Sequence, residues 1–172
     1  MNLKKENIIA FAKNWQNWLF IGWVVFLIFL DILTKFLTDG VEHFVIIPWL
    51  WEVKSVHNSG MALGWLAGAG ARWFLVSMTF VVLIALTWFA IANKQKTIIF
   101  FISMVLAMSG AYGNLACRLF YENGYVRDWI VSGFVFPWQT FVFNLADVFV
   151  IAGAIGLGIY FIFQFKFEDK KE

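Results

Sequence analysis

The chain has 172 residues, and it is 62% hydrophobic but only 14% charged. That length suits one domain. A soluble domain is roughly one quarter charged, so this composition cannot cover a water-facing surface and predicts an integral membrane protein. The formal net charge is only +2, and the basic residues gather near the ends of apolar stretches, which indicates membrane orientation rather than a nucleic-acid partner. Cys117 is the single cysteine, which excludes an internal disulfide.

Four apolar stretches are each long enough to cross a bilayer as a helix, which takes about 20 residues. They cover approximately residues 18–37, 73–92, 97–117 and 139–163. Each is continuously apolar rather than alternating, which favours helices over the strands of a barrel. The first stretch follows Lys4, Lys5 and Lys13, as a signal peptide would, but its apolar run is too long and no small-x-small cleavage site follows. We therefore expect it to be retained as the first helix.

The placement of basic residues predicts the orientation in the membrane. Four spans put both termini on one side, together with the loop at residues 93–96, and this side carries eight lysines. The opposite side carries five basic residues, interspersed with acids. We therefore expect both termini in the cytoplasm of a bacterium and two segments, at about 38–71 and 118–138, outside the membrane.

The longer external segment contains a pattern typical of a β-strand. Residues 49–57 alternate, which places Leu50, Glu52, Lys54 and Val56 on one face of a strand. The other face would carry Trp49, Trp51, Val53, Ser55 and His57. The predicted fold is therefore all-α, with four transmembrane helices and a small extracytoplasmic β-sheet at about residues 41–69, between the first and second helices.

Polar residues inside or beside the spans are the candidates for chemistry, because a carboxylate in the membrane is costly without a partner or cavity. Asp147 lies in the fourth span, about two turns from its external end, with Asn144 one turn earlier and Asp128 nineteen residues upstream. Two neighbouring carboxylates share a proton, so one can activate water while the other polarises a peptide carbonyl. The alternative is a helix-packing Asp147 bonded to Asn144, with Asp128 a solvated loop residue, and spacing alone does not separate these interpretations.

The other polar residues have simpler interpretations when taken singly. Asp31 and Lys35, four residues apart on the first helix, read as a membrane-edge ion pair with Lys35 extending outward. Asn114 and Arg118 share a helix face beside Gly110 and Gly113, which is typical of a packing seam. Asn58 reads as a turn residue, and His43 and His57 lack further ligands at metal-binding spacing, so we expect no metal and no cofactor.

Five short motifs, in order between residues 23 and 158, resemble those of the signal peptidase II (lipoprotein signal peptidase) family of bacterial membrane aspartyl peptidases. They are Asp31-Ile-Leu-Thr-Lys35, Val56-His-Asn-Ser-Gly-Met-Ala-Leu63, Gly113-Asn-Leu-Ala-Cys-Arg118, Val126-Arg-Asp-Trp129 and Phe143-Asn-Leu-Ala-Asp147. The resemblance implies that Asp128 and Asp147 are the catalytic pair. It implies substrate-binding roles for Asn58, Gly60, Asn114, Arg118 and Asn144, and it leaves Asp31 and Lys35 as structural polar residues.

The resemblance also implies the substrate and the location. The substrate would be a prolipoprotein with diacylglycerol on its lipobox cysteine, cut just before that cysteine. The family's cyclic peptide inhibitor, of the globomycin type, would bind the same site. We expect a monomer in the bacterial cytoplasmic membrane, surrounded by lipid, with its site near the outer leaflet and no nucleic-acid partner.

The sequence departs from the family pattern at several positions. Cys117 stands where the family usually has aspartate, so the position of Arg118 becomes uncertain, and Glu122 could substitute for the missing acid. Trp129 and Leu63 each replace a phenylalanine. Two other classes of protein therefore stay open, which are a non-catalytic binder of lipidated precursors and a small transporter with Asp31 and Asp147 as a proton relay. We also expect the loop around Asn123, Gly124 and Gly133 to move when substrate enters.

Overall fold

The computed structural model describes residues 14–48, 50–60, 71–93, 97–136 and 139–168. Four helices in this part of the chain are long and apolar enough to cross a membrane. They are α1 (Trp15–Leu37), α2 (Ala71–Ala92), α3 (Ile98–Phe120) and α4 (Leu145–Glu168). Large apolar side chains point outward from them, and Phe29, Ile84 and Ile151 are 58%, 67% and 61% exposed. Such surfaces need lipid as their solvent, which confirms the predicted membrane class.

The helix α3 lies at the centre of the bundle and packs against α1, α2 and α4. Its contact with α4 is close because small residues face each other there. A Cβ added at Gly153 of α4 would lie 2.8 Å from the carbonyl oxygen of Ser103 and 2.9 Å from Cα of Ala107. Small residues at this seam let the two backbones approach, as is common between helices in membranes.

The extramembrane part is one antiparallel sheet of four strands in the order β1–β2–β3–β4. The strands are β1 (Phe44–Ile47), β2 (Trp51–Asn58), β3 (Val126–Phe136) and β4 (Gln139–Phe143). The sheet is thus larger than predicted, because both segments outside the bundle contribute two strands each. The sequence of β3 did not suggest a strand, since Arg127, Asp128 and Gly133 interrupt its apolar residues. These strands connect the C-terminal ends of α1 and α3 to the starts of α2 and α4, so the sheet caps one end of the bundle.

The fourth helix begins later than the predicted residue 139. Residues Gln139–Phe143 form β4, and the helix starts at Leu145. The apolar run was continuous across this boundary, so hydropathy alone could not divide a strand from a helix. Asp147 consequently lies in the first turn of α4 and not two turns inside it.

A bulge in β2 decides which residues of that strand face the bundle. Val53 pairs with Ile130, but Val56 pairs with Asp128, so β2 has one extra residue between the two pairs. Strict alternation, as predicted, would put Val53 and Val56 on opposite faces. The bulge instead puts both on the face that carries Asp128, and Asn58, paired with Val126, joins them there.

Candidate active site

Asn144 connects two carboxylates that come from different elements. Its side-chain Nδ2 donates to Oδ1 of Asp128 in β3, and its backbone N–H donates to Oδ2 of Asp147 in α4 at 3.0 Å. Asn144 is fully buried and Asp128 is only 3% exposed. The structure therefore brings Asp128 and Asp147 to the same asparagine, at the junction between the sheet and the bundle.

Asp147 is held in place by the way α4 begins. The side chain of Asn144 accepts from the backbone N–H of Asp147 at 3.0 Å, while Asp147 accepts from the backbone N–H of Asn144. This reciprocal pair is a capping box, in which the cap residue and the residue three positions later satisfy each other's N–H groups. The spacing Asn-x-x-Asp at residues 144–147 marks this start of the helix in the sequence. Hydropathy does not detect such a cap, so the predicted helix began too early. The helix N-terminus also favours a negative charge at this point.

Two further asparagines complete the shell around the carboxylates. Asn58 donates through Nδ2 to Oδ2 of Asp128 at 2.9 Å, and Asn114 donates through Nδ2 to Oδ1 of Asp147 at 2.8 Å. Each carboxylate thus accepts two N–H donors. Such bonds favour the ionised forms and oppose the effects of burial and mutual repulsion.

Burial and repulsion still dominate at Asp128, which lies outside the membrane-spanning helices. Burial first, and then the negative charge of Asp147, raise the pKa of Asp128 to about 6, against the opposing hydrogen bonds from Asn58 and Asn144. A carboxyl group with this pKa can hold or release a proton close to neutral pH. It is therefore suited to a general acid or base role.

Asp31 and Lys35 do not form the membrane-edge pair that the sequence suggested. Both side chains are fully buried, and Lys35 Nζ donates to Oδ2 of Asp31 at 2.7 Å and to Oδ1 of Asn114 at 2.9 Å. The other oxygen of Asp31 accepts from the backbone N–H of Ala146 at 2.9 Å. The prediction that Lys35 extends outward is thus wrong, because the ion pair bonds inward to α3 through Lys35 and to α4 through Asp31. Gly113 leaves the space for this pair, since a Cβ there would lie 3.2 Å from the Asp31 carboxyl carbon.

Arg118 lies beside Cys117 in α3 but is held by other groups. Arg118 donates through Nη2 to the carbonyl oxygen of Gly60 at 3.1 Å. Cys117 is buried, only 3% exposed, and no hydrogen bond joins it to Arg118 in the described part of the chain. The position of Arg118 therefore does not depend on an acid at residue 117. Gly60 in turn donates its N–H to Oδ1 of Asn58 at 2.9 Å, so Arg118 helps to hold the end of β2 beside Asp128.

Arg127 is a residue whose role the sequence did not reveal. Its guanidinium donates to the carbonyl oxygen of Lys35 at 2.8 Å and pairs with Asp39 at 2.9 Å. Its guanidinium carbon also lies over the ring of Tyr121, 5.2 Å from the ring centroid. Arg127 therefore connects β3 to the end of α1. These contacts hold in place the strand that carries Asp128.

In the described part of the chain, the remaining residues singled out in the sequence make no hydrogen bond to either carboxylate. His57 stacks on Tyr125, with ring centroids 5.5 Å apart, and His43 contacts Glu52 at 2.7 Å. Glu122 belongs to a short 3-10 helix and lines an open cleft of about 210 Å³. Asn123 and Gly124 adopt left-handed backbone angles, with φ of 61° and 69°.

Two more of these residues belong to the sheet, and one cannot be described. Gly133 lies in β3, and Trp129 packs with Val53 and Ile130. Leu63 lies outside the described residues.

Four membrane helices, a sheet over one end and, between them, one buried and one half-buried carboxylate define a multi-pass membrane enzyme. A family model described as signal peptidase (SPase) II matches residues 23–163. The chain belongs to the signal peptidase II family, and it is therefore a bacterial membrane protease of lipoprotein processing.

Individual relatives and solved structures agree with this assignment. A lipoprotein signal peptidase of Tropheryma whipplei is 32% identical over 147 residues, which is 82% of this chain and 92% of the relative. One from Clostridium tetani is 34% identical over 130 residues, covering 76% and 81% of the two chains. A solved structure described as a bacterial membrane enzyme superimposes with a TM-score of 0.75 at 29% identity, covering 83% of this chain and 87% of that one.

Proposed function

We propose that this protein is an aspartic endopeptidase that removes the signal peptide from diacylglyceryl-modified prolipoproteins and cuts just before the lipidated cysteine. The observation that carries the proposal is the pair of carboxylates, Asp128 and Asp147, bonded to the same buried asparagine. Family membership supports the substrate class, and the geometry supports a hydrolysis that uses two acids and a water molecule.

The surroundings of the two carboxylates assign them different roles. Asp147 accepts from Asn114 and from the backbone of Asn144 at the start of a helix, an environment that suits the ionised base. Asp128, whose pKa is raised to about 6 by burial and by the charge of Asp147, suits the protonated acid. In this scheme Asp147 takes a proton from the water molecule while the water oxygen attacks the scissile carbonyl carbon. Asp128 donates its own proton to the carbonyl oxygen. Asp147 then gives the proton that it took from water to the leaving amine, the C–N bond breaks, and a hydroxyl group of the intermediate returns a proton to Asp128 as the carboxylic acid forms.

The position of the site suits a lipid-anchored substrate. The carboxylates lie where the sheet meets the ends of the helices, so the acyl chains would stay in the bilayer while the peptide bond reaches the site from its surface. We place this end of the bundle at the outer leaflet and both termini in the cytoplasm, because basic residues concentrate on the terminal side. Anchoring in this way lowers the entropic cost of bringing the peptide bond to the carboxylates.

Asn58, Gly60 and Arg118 would contact the peptide beside the scissile bond. Arg118 and Gly60 are bonded to each other, and Asn58 joins Gly60 to Asp128. An extended peptide could lie along this edge, with its main-chain groups reaching these polar atoms. The family's cyclic peptide inhibitor would occupy the same position.

The test is cleavage of a diacylglyceryl-modified precursor by the purified protein in detergent. The native enzyme should release the signal peptide just before the lipidated cysteine. Asp128→Asn and Asp147→Asn should each reduce kcat by roughly 10²–10⁴-fold, while Glu122→Gln, which removes an exposed carboxylate, should cut at the native rate.

Three further results would contradict the proposal. Equal cleavage of an unlipidated precursor would contradict the substrate class. Binding of the lipidated precursor without cleavage would identify a non-catalytic relative, while indifference to the precursor together with proton-coupled transport would identify a transporter.

A further inference from the structure

The ammonium group of Lys35 is fully buried and donates to two side-chain oxygens. These acceptors are Oδ2 of Asp31 at 2.7 Å and Oδ1 of Asn114 at 2.9 Å. An ammonium group can donate hydrogen bonds but cannot accept them. Any atom that faces Lys35 at this distance must therefore be an acceptor.

This requirement determines which way the amide of Asn114 points. Its oxygen must face Lys35, so its NH₂ group faces Oδ1 of Asp147, to which it donates at 2.8 Å. The reversed amide would place two donors against each other at Lys35 and two acceptors against each other at Asp147. Lys35 thus controls a hydrogen bond to a carboxylate that it does not itself touch.

The other two asparagines of the site are oriented by the backbone. The oxygen of Asn58 accepts from the N–H of Gly60, and the oxygen of Asn144 accepts from the N–H of Asp147. Among these three amides, Asn114 is therefore the one whose orientation depends on a side chain. A substitution can release it without disturbing the backbone.

We propose that Lys35 is a positioning residue for peptide cleavage, because it locks the amide of Asn114 in the orientation that donates to Asp147. The inference rests on the proposed function, since it concerns the same pair of carboxylates. Asp31 supports the arrangement from the other side, as it binds Lys35 with one oxygen and the N–H of Ala146, next to Asp147, with the other.

The test needs a variant that removes the lysine without leaving a buried unpaired charge. The combined variant Asp31→Asn with Lys35→Met removes both charges and keeps an oxygen for the N–H of Ala146. We expect kcat to fall about 10- to 100-fold, the usual size of a lost bond to a charged group, with KM within about twofold. The matched control is Cys117→Ala, which changes another buried side chain of α3 but leaves Lys35 and Asn114 in place, and its kcat should stay within about threefold of native.

A double-mutant cycle separates positioning from a general structural role. Asn114→Ala alone should reduce kcat by a similar factor, but should add less than about threefold when combined with the Asp31→Asn, Lys35→Met variant. Full additivity, or native kcat without Lys35, would overturn the proposal. If the first variant does not fold, Asp31→Leu with Lys35→Met replaces the ion pair by apolar side chains of similar volume.

A second readout does not require cleavage, so the inference and the proposed function can fail separately. In protein labelled with ¹⁵N-asparagine, the side-chain amide protons of Asn114 should show the downfield shift of a bond to a carboxylate. This shift should disappear without Lys35 and persist in Cys117→Ala. An unchanged amide signal without Lys35 would overturn the inference, whereas an uncleaved precursor with the native enzyme would overturn the proposed function alone.

Discussion

At the scale of single residues, Asp128 is a carboxyl group that folding makes harder to ionise. Its pKa is raised to about 6, whereas an exposed aspartate has a pKa of about 3.9. The unfolded chain thus loses the Asp128 proton before the folded protein does as pH rises. The contribution of this residue to stability is therefore largest at low pH and is lost as pH rises through about 6.

This difference predicts a pH-dependent stability. Between pH 7.5 and pH 5, Asp128 should add about 1.4 kcal/mol to the free energy of unfolding, because roughly one unit of the shift is recovered over this range. Denaturant titration of the detergent-solubilised protein at the two pH values measures it. Asp128→Asn should lose this increment, and an equal increment in that variant would assign the effect to other groups.

Cys117 supplies a second prediction at this scale. Its side chain is only 3% exposed on α3, the helix at the centre of the bundle, so Cys117→Ala leaves a small cavity. We expect the free energy of unfolding to fall by about 1 kcal/mol, as for other small deletions from a core. Cys117→Ser, which refills most of this volume, should recover part of this loss, and equal stability of the two variants would contradict a packing role for the sulfur.

The sequence identified the residues around the carboxylates but not their connections. The motifs pointed to Asn58, Asn114 and Asn144, and all three bond to Asp128 or Asp147. The inward direction of Lys35 could not be predicted from its helix alone, because its partner Asn114 lies 79 residues further along the chain, on α3. Helical spacing shows which residues share a face, but not which neighbour that face meets.

At the scale of elements, hydropathy located the helices and missed half of the sheet. The apolar runs in α1 and α2 are bounded by polar residues, so their ends fell within about three residues of the predicted ones. β4 instead continues without a polar break into α4, and hydropathy cannot separate the two elements. The bulge in β2 was also invisible, because one extra residue changes the exposed face without changing composition.

Helix contact between α3 and α4 can be tested at Gly153. A larger residue there would collide with the backbone of Ser103 and Ala107, since an added Cβ lies within 2.9 Å of both. Gly153→Val should lower the free energy of unfolding by about 1–3 kcal/mol, the cost of overpacking. Gly158→Val is the matched control, because no atom lies within 4 Å of a Cβ at Gly158 in the same helix.

The outcome is read by denaturant titration in detergent, with cleavage measured in parallel. Because α4 carries Asp147 and packs on α3, separation of the two helices should also reduce cleavage in Gly153→Val. Native stability of Gly153→Val, or equal losses in the two variants, would show that the seam tolerates larger side chains.

At the scale of the whole molecule, the orientation in the membrane can be tested with single cysteines. Native Cys117 is only 3% exposed, so it should not react with a membrane-impermeant maleimide. In spheroplasts, Glu122→Cys should be labelled directly, and Gln16→Cys only after permeabilisation, if the sheet is external and the N-terminus cytoplasmic. The opposite labelling pattern would invert the proposed orientation, and the native protein provides the background signal.

The hydrogen bonds of the site also determine when the protein can first act during its synthesis. Asp31 on the first helix bonds to Ala146 on the last one, and Asp128 and Asp147 meet only through Asn144, at the start of that last helix. A nascent chain with three helices inserted thus holds Lys35, Asn58 and Asn114 but has no second carboxylate. Proteolytic competence should appear in one step, when the fourth helix enters the membrane, and incompletely inserted chains should be harmless to the membrane proteins around them.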